Sequence, residues 1–202
     1  MAELNKLATA KQEFEARMSL LPEEIQTALK GQNLKLVDTV FYSAKLIDTT
    51  TKDLMESKDS REVGVTNINK AQLDANNYTC ITGVQLLVSE ESAAVTDEKA
   101  SAKAANFVAI DEITAAAHKA FVNGEIEIKN GDKILVPRMS LHAFTGAASF
   151  ANNGKKGFYR LENPKMIVPL TNITPTIYLP AGFTIDNKII AKIVFYGEKV
   201  NA

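Results

Sequence analysis

The chain has 202 residues, 46% hydrophobic and 23% charged, values that fit one large domain, or a domain with an appendage, and exclude a mostly disordered chain. Its net charge is -1, with eight basic and ten acidic residues among the first sixty, so it lacks the basic arm that neutralises phosphates and no direct contact with nucleic acid is expected. Cys80 is the only cysteine, which excludes an intrachain disulfide; with no apolar leader and no span of roughly 20 apolar residues, synthesis in a reducing cytoplasm is expected and membrane contact is not.

From Ala2 to Leu20 the apolar residues Leu4, Leu7, Phe14 and Met18 recur near helical spacing, with Glu13, Glu15 and Arg17 on other faces. That pattern predicts an amphipathic helix. Pro22 then suits the first position of a second short helix, PEEIQTALK, with Glu23 and Glu24 complementing its amino-terminal dipole and Gly31 placed to end it. Leu34 to Ile47 is ambiguous: Leu34, Val37, Phe41 and Ala44 suit a helix, whereas the run DTVFYS leans to strand. Asp48 to Arg61 is polar and reads as the boundary between two parts. Residues 1–61 are thus expected to form an N-terminal helical arm and linker, and 62–202 a β-sandwich domain beginning near Glu62.

Tyr78, Cys80, Thr82, Val84, Leu86 and Val88 alternate as one face of a half-buried strand. Ser89 to Ala104 reads as a loop from its polar, alanine-rich composition, NFVAI as a further short strand, and Asp111 as the N-cap of a helix ITAAAHKAFV. Asn130-Gly131 marks a hairpin in Ile126–Val136. A three-residue loop, Lys129 to Gly131, is preferred because it sets Ile126 opposite Ile134 and Glu127 opposite Lys133, with Gly131 left-handed. Four of the six prolines, Pro164, Pro169, Pro175 and Pro180, fall in the last quarter among short apolar runs. Since proline cannot donate to a β-ladder, these mark strand starts, edges and corners, and suggest a β-sandwich.

Catalytic groups are sparse. His118 has no metal ligand one helical turn away, and Ser140-x-His142 lacks an acid to orient the ring. Glu90-Glu91 and Asp111-Glu112 read as solvated pairs, Lys155, Lys156 and Arg160 as a solvated loop, and Cys80 as a small core residue. The glycines of TGAASFANNGKKGFYR match neither phosphate-binding spacing. No catalytic, cofactor-binding or metal residue is therefore assigned, and no enzymatic activity or cofactor is expected.

The segments GEIEIKNGDKILVP, GFYRLENPKMIVPLTNI and KIIAKIVFYG, preceded by a helical arm and a polar linker, resemble the jelly-roll structural proteins of bacteriophage virions, capsid or capsid-associated. The resemblance implies a mainly β fold, a jelly-roll-like antiparallel β-sandwich with an N-terminal helical arm. It implies a structural protein that acts by self-assembly, a place in the virion, and as partners other copies of the chain and other virion proteins. The arm departs from the small RNA-virus pattern in lacking arginines. Its apolar stripe, Leu4, Leu7, Phe14 and Met18, is the expected assembly interface; the other course is folding back on its own domain. A ligand- or carbohydrate-binding β-sandwich module is the alternative function, although the chain has no Trp to stack on a sugar.

Overall fold

The computed structural model describes residues 12, 15–16, 19, 21–31, 35–75, 77–91, 97–114, 121–145, 155–181 and 188–201. The protein is mainly β. Among the described residues eight strands, β1 (Lys35–Ile47), β2 (Thr51–Asp53), β3 (Thr79–Glu91), β4 (Glu125–Asn130), β5 (Lys133–Ser140), β6 (Phe158–Ile167), β7 (Ile173–Tyr178) and β8 (Lys188–Asn201), make two antiparallel sheets. Their orders are β1-β8-β3-β6 and β2-β7-β4-β5. The first strand thus pairs with the last, the second with the seventh, the third with the sixth and the fourth with the fifth. Apolar residues of both sheets, among them Phe41, Ile81, Leu86, Ile193 and Phe195 of one and Ile126, Ile128, Leu135 and Ile177 of the other, form one buried cluster. This is a sandwich-like arrangement.

The sheets begin upstream of Glu62. β1 runs along β8 from Lys35↔Asn201 to Ile47↔Ile189, so the DTVFYS run is strand, and the polar stretch behind it carries β2 and two core residues, Leu54 and Met55. The expected boundary at Glu62 is corrected accordingly. Local polarity marked turns at Asp48 and Lys58 but hid the short apolar step between them. From Val40 onward the outer edge of β1 is closed by chain that is not itself strand. Ala44 N–H donates to Val65 O (2.9 Å), the Asn67 amide bonds Tyr42 N–H (2.8 Å) and Val40 O (2.9 Å), and Glu98 accepts from Leu46 N–H (2.8 Å). A covered edge cannot pair with a stray strand.

The prolines sit where a donor is dispensable. Pro137 and Pro164 lie on the edge strands β5 and β6. Pro175 is in the inner strand β7, but its carbonyl accepts from Leu54 N–H (2.8 Å), so its nitrogen also faces the β2 side, just beyond the end of that three-residue strand.

β3 departs from simple alternation. A register shift between Ile81 and Gly83 makes Thr82 an extra residue against β8, which reverses the parity of the strand, while at the same place the β6 partner steps from Lys165 to Arg160. Ile81, Val84, Leu86 and Val88 face the main core, whereas Cys80 and Tyr78 join a second cluster on the outward face. The expected common face of Cys80 and Val84 is therefore wrong, while the expected burial of Cys80 holds.

That second cluster lies under α1 (Glu23–Lys30), the helix expected after Pro22, whose Ile25 packs with Leu21, Cys80, Met166 and Val200. At the other end of the same face α2 (Glu98–Ala104) buries Ala102 with Ala44, Val65 and Ile190. It stands where the polar, alanine-rich composition of Ser89–Ala104 predicts a loop. Its cap is nonetheless visible, since the Asp97 carboxylate accepts from Lys99 N–H and Ala100 N–H. Asp111 lies inside a 3-10 turn, Ile110–Glu112, so it does not cap the expected helix, of which residues 115–120 lie outside the described residues, and NFVAI supplies a single bridge, Val88↔Val108.

The hairpin exists, with a shorter loop than expected. Asn130↔Lys133 and Lys129↔Ile134 close a two-residue turn, Gly131-Asp132, in which Gly131 has φ +60°. The left-handed glycine is as expected; the Glu127–Lys133 pairing is not. Face mixing is absorbed by irregularities at Ile126/Ile128 and Ile128/Lys129, and Asn130 ties the tip to the β6–β7 turn through Thr171 O and Val168 N–H.

Candidate functional site: a groove on the outward sheet face

In β8, Ile189, Ala191, Ile193 and Phe195 point into the core, so Lys192, Val194, Tyr196 and Glu198 point outward. α1 covers one end of this face and α2 the other. Toward the α1 side of the strip between them lies a groove of about 330 Å3, whose lining includes Asp38, Val40, Thr82, Lys155, Phe158, Arg160, Glu162, Tyr196 and Glu198.

Its floor is built on two glycines. A β-carbon at Gly83 would stand 2.1 Å from the Phe158 ring, so only glycine admits that ring against β3; one at Gly197 would meet Cys80 O at 2.2 Å. Phe158 stands edge-on to Tyr196, with ring centres 5.6 Å apart. The Tyr196 hydroxyl donates to Gln85 Oε1 (2.7 Å), and Gln85 Nε2 donates to Lys156 O (2.7 Å). Burial raises the Tyr196 pKa, so it serves as a neutral donor. The Lys155 ammonium rests 3.5 Å from the Tyr196 ring centre. Nearby, burial lowers the pKa of Lys192, which lies over Tyr42 (4.5 Å) and Phe107 (5.0 Å). Two cations and three carboxylates stand on its walls, while its two aromatic rings are taken up by contacts with Gly83, Lys155 and each other, so the groove can bind chiefly through charge.

The residues considered from sequence are not brought together here. Leu4, Leu7, Phe14, Met18 and His118 lie outside the described residues, as do Gly146 and Gly154. Ser140 and His142 are related by capping: Ser140 Oγ accepts from His142 N–H (3.1 Å), and the ring contacts Thr145. Glu90 accepts from Thr114 N–H and Oγ1, and Glu91 from Ser89 Oγ. Lys156 is ion-paired with Glu112. Of the basic trio, Lys155 and Arg160 join the groove. Among the described residues no group of three His, Cys, Asp or Glu is placed to hold a metal ion, and no helix is long and apolar enough to cross a membrane. Tyr196, Phe158 and Gly83 come from three strands, and a glycine inside the strand pattern of Tyr78–Val88 is the local sign of a close approach. Set against protein-family models, curated proteins and solved structures, the chain matches none.

Proposed function

We propose that this chain is a structural virion protein, a phage capsid or capsid-associated jelly roll that acts by self-assembly. The observation that carries the reading is the strand order: pairing of first strand with last and inward to fourth with fifth, split as β1-β8-β3-β6 and β2-β7-β4-β5, supports a double-sheet jelly roll, an architecture that recurs in viral capsids. Fold alone does not fix function. The closed edge of β1 adds support, because a subunit that associates at high local concentration must suppress indiscriminate strand pairing. Its partners in this reading are other copies of itself and other virion proteins, and the N-terminal arm reaches a neighbour. Negative-stain imaging and sedimentation of the purified full-length chain test it. Defined particles or closed oligomers are expected; a monomer at high concentration would overturn the reading.

A ligand-binding module is the second reading, favoured by the outward groove. Its Tyr196 face is already covered by Lys155, which leaves little open ring for a sugar to stack on. Saturable glycan binding lost on Tyr196→Ala would decide for this reading.

A further inference from the structure

Lys45 shares the inward parity of β1 with Phe41 and Ile47, opposite Ala191 of β8, and is only 8% exposed. An ammonium so placed requires compensation. The chain beyond β2 brings two carboxylates to it, with Asp59 Oδ1 at 2.5 Å and Glu56 Oε2 at 3.0 Å from Nζ. Asp59 Oδ2 accepts from the backbone N–H of Glu56 at 2.8 Å, so each oxygen of this carboxyl is held by a different donor. A cavity of about 300 Å3, lined by Ser43, Lys45 and Asp59 among others, adjoins the cluster.

We propose that Lys45 and Asp59 form an intramolecular isopeptide bond, with Glu56 as the proton carrier. Glu56 takes a proton from the Lys45 ammonium, and the freed Nζ lone pair attacks Cγ of Asp59. The Nζ–Cγ bond forms while the Cγ–Oδ1 bond breaks. Two of the three ammonium protons leave with Oδ1 as water, one of them by way of Glu56, and the third stays on the amide nitrogen. An ammonium and a carboxylate thus become an amide and one water, with no redox change and no other reactant. Oδ2 remains as the amide oxygen, and the Glu56 N–H already bonded to it stabilises the charge that develops there during attack.

Burial disfavours the ammonium, but hydrogen bonds and charge from Asp59 and Glu56 outweigh it and hold the Lys45 pKa above the ordinary lysine value. The reactive form is therefore the minor one with its proton on Glu56. A bond made once per molecule tolerates that, because fixed proximity supplies a high effective concentration, and the adjoining cavity gives the water a way out. The bond would join β1 of one sheet to the connection that leaves β2 of the other.

Intact-mass measurement of the denatured full-length chain is the test. The expected mass is one water below that of the sequence, and proteolysis should yield a branched peptide joining Lys45 to Asp59, with no tryptic cleavage after Lys45. Lys45→Arg and Asp59→Ala chains should return to the full sequence mass, and Glu56→Gln should slow bond formation at least tenfold in refolded protein. A wild-type chain at full mass overturns the proposal whether or not any variant folds. Water loss mapped to a cyclic imide at Asp59-Ser60, without a branched peptide, overturns it equally. Wild-type rates in Glu56→Gln would remove the role given to Glu56.

Discussion

Gly83 and Gly131 are constrained for different reasons, and their substitutions should separate the two. At Gly83 the obstacle is steric: an added methyl meets the Phe158 ring, which cannot withdraw without losing its contact with Tyr196. Gly83→Ala is expected to cost about 1–3 kcal/mol, the usual range for overpacking, and urea unfolding reads it. Phe158→Leu should recover part of that loss by clearing the space. At Gly131 the obstacle is mainly the backbone, because φ is +60° and a β-carbon is penalised there by about 1 kcal/mol or more. The Thr171 methyl, 2.8 Å from the added carbon, increases the strain. An unchanged urea midpoint for Gly131→Ala would contradict the turn.

At the scale of elements, α2 is too short at seven residues to persist alone, so its attachments decide whether it forms. Asp97 caps it, Glu98 bonds the edge of β1, and Glu62 receives Lys103 and Lys99. Asp97→Ala should therefore cost about 1 kcal/mol in thermal or urea unfolding. Hydrogen bonds from Lys103 and then Lys99 hold the Glu62 pKa at about 2, against an ordinary value of 4.5. A depressed carboxylate pKa stabilises the folded state fully above the ordinary value, and that contribution is lost as pH falls from 4.5 toward 2. Because Glu62 is only partly buried and its lysine partners are open to solvent and salt, the effect should be small and should shrink in high salt. Amide exchange across α2 and at Leu46 should accelerate in that acid window and change less in Glu62→Gln.

The same elements show what could be read from sequence. β1 was legible through the β-branched and aromatic run Asp38–Ser43, and α1 through Pro22 and its acidic first turn. α2 was hidden because alanine-rich polar composition outweighed one capping residue. The bulge at Thr82 was hidden because periodicity assumes an unbroken ladder, and the parity of everything after it depends on the register with β8. The groove was illegible for the same reason. Asp38, Gly83, Phe158 and Tyr196 lie on four strands whose adjacency is a property of the sheet order.

For the whole molecule, pairing of the first strand with the last makes stability depend on both ends of the chain. A fragment starting at Glu62 lacks β1, β2, Leu54 and Met55, leaving the 14-residue β8 without one of its neighbours and the core open. It should fail to fold, giving no cooperative thermal transition by circular dichroism. Residues 21–202 keep every sheet pairing and also Leu21 and Ile25 over Cys80, so this fragment should unfold within a few degrees of the full chain. The two chains then isolate the contribution of residues 1–20. If Leu4, Leu7, Phe14 and Met18 seat on a neighbouring subunit, full-length protein assembles and the 21–202 fragment sediments as a monomer with an intact sheet spectrum. Equal assembly of both would move the subunit contact to the folded body and leave the arm without that role. A fragment that loses its cooperative transition would instead mean that the arm completes its own subunit, since no described sheet contact has been removed.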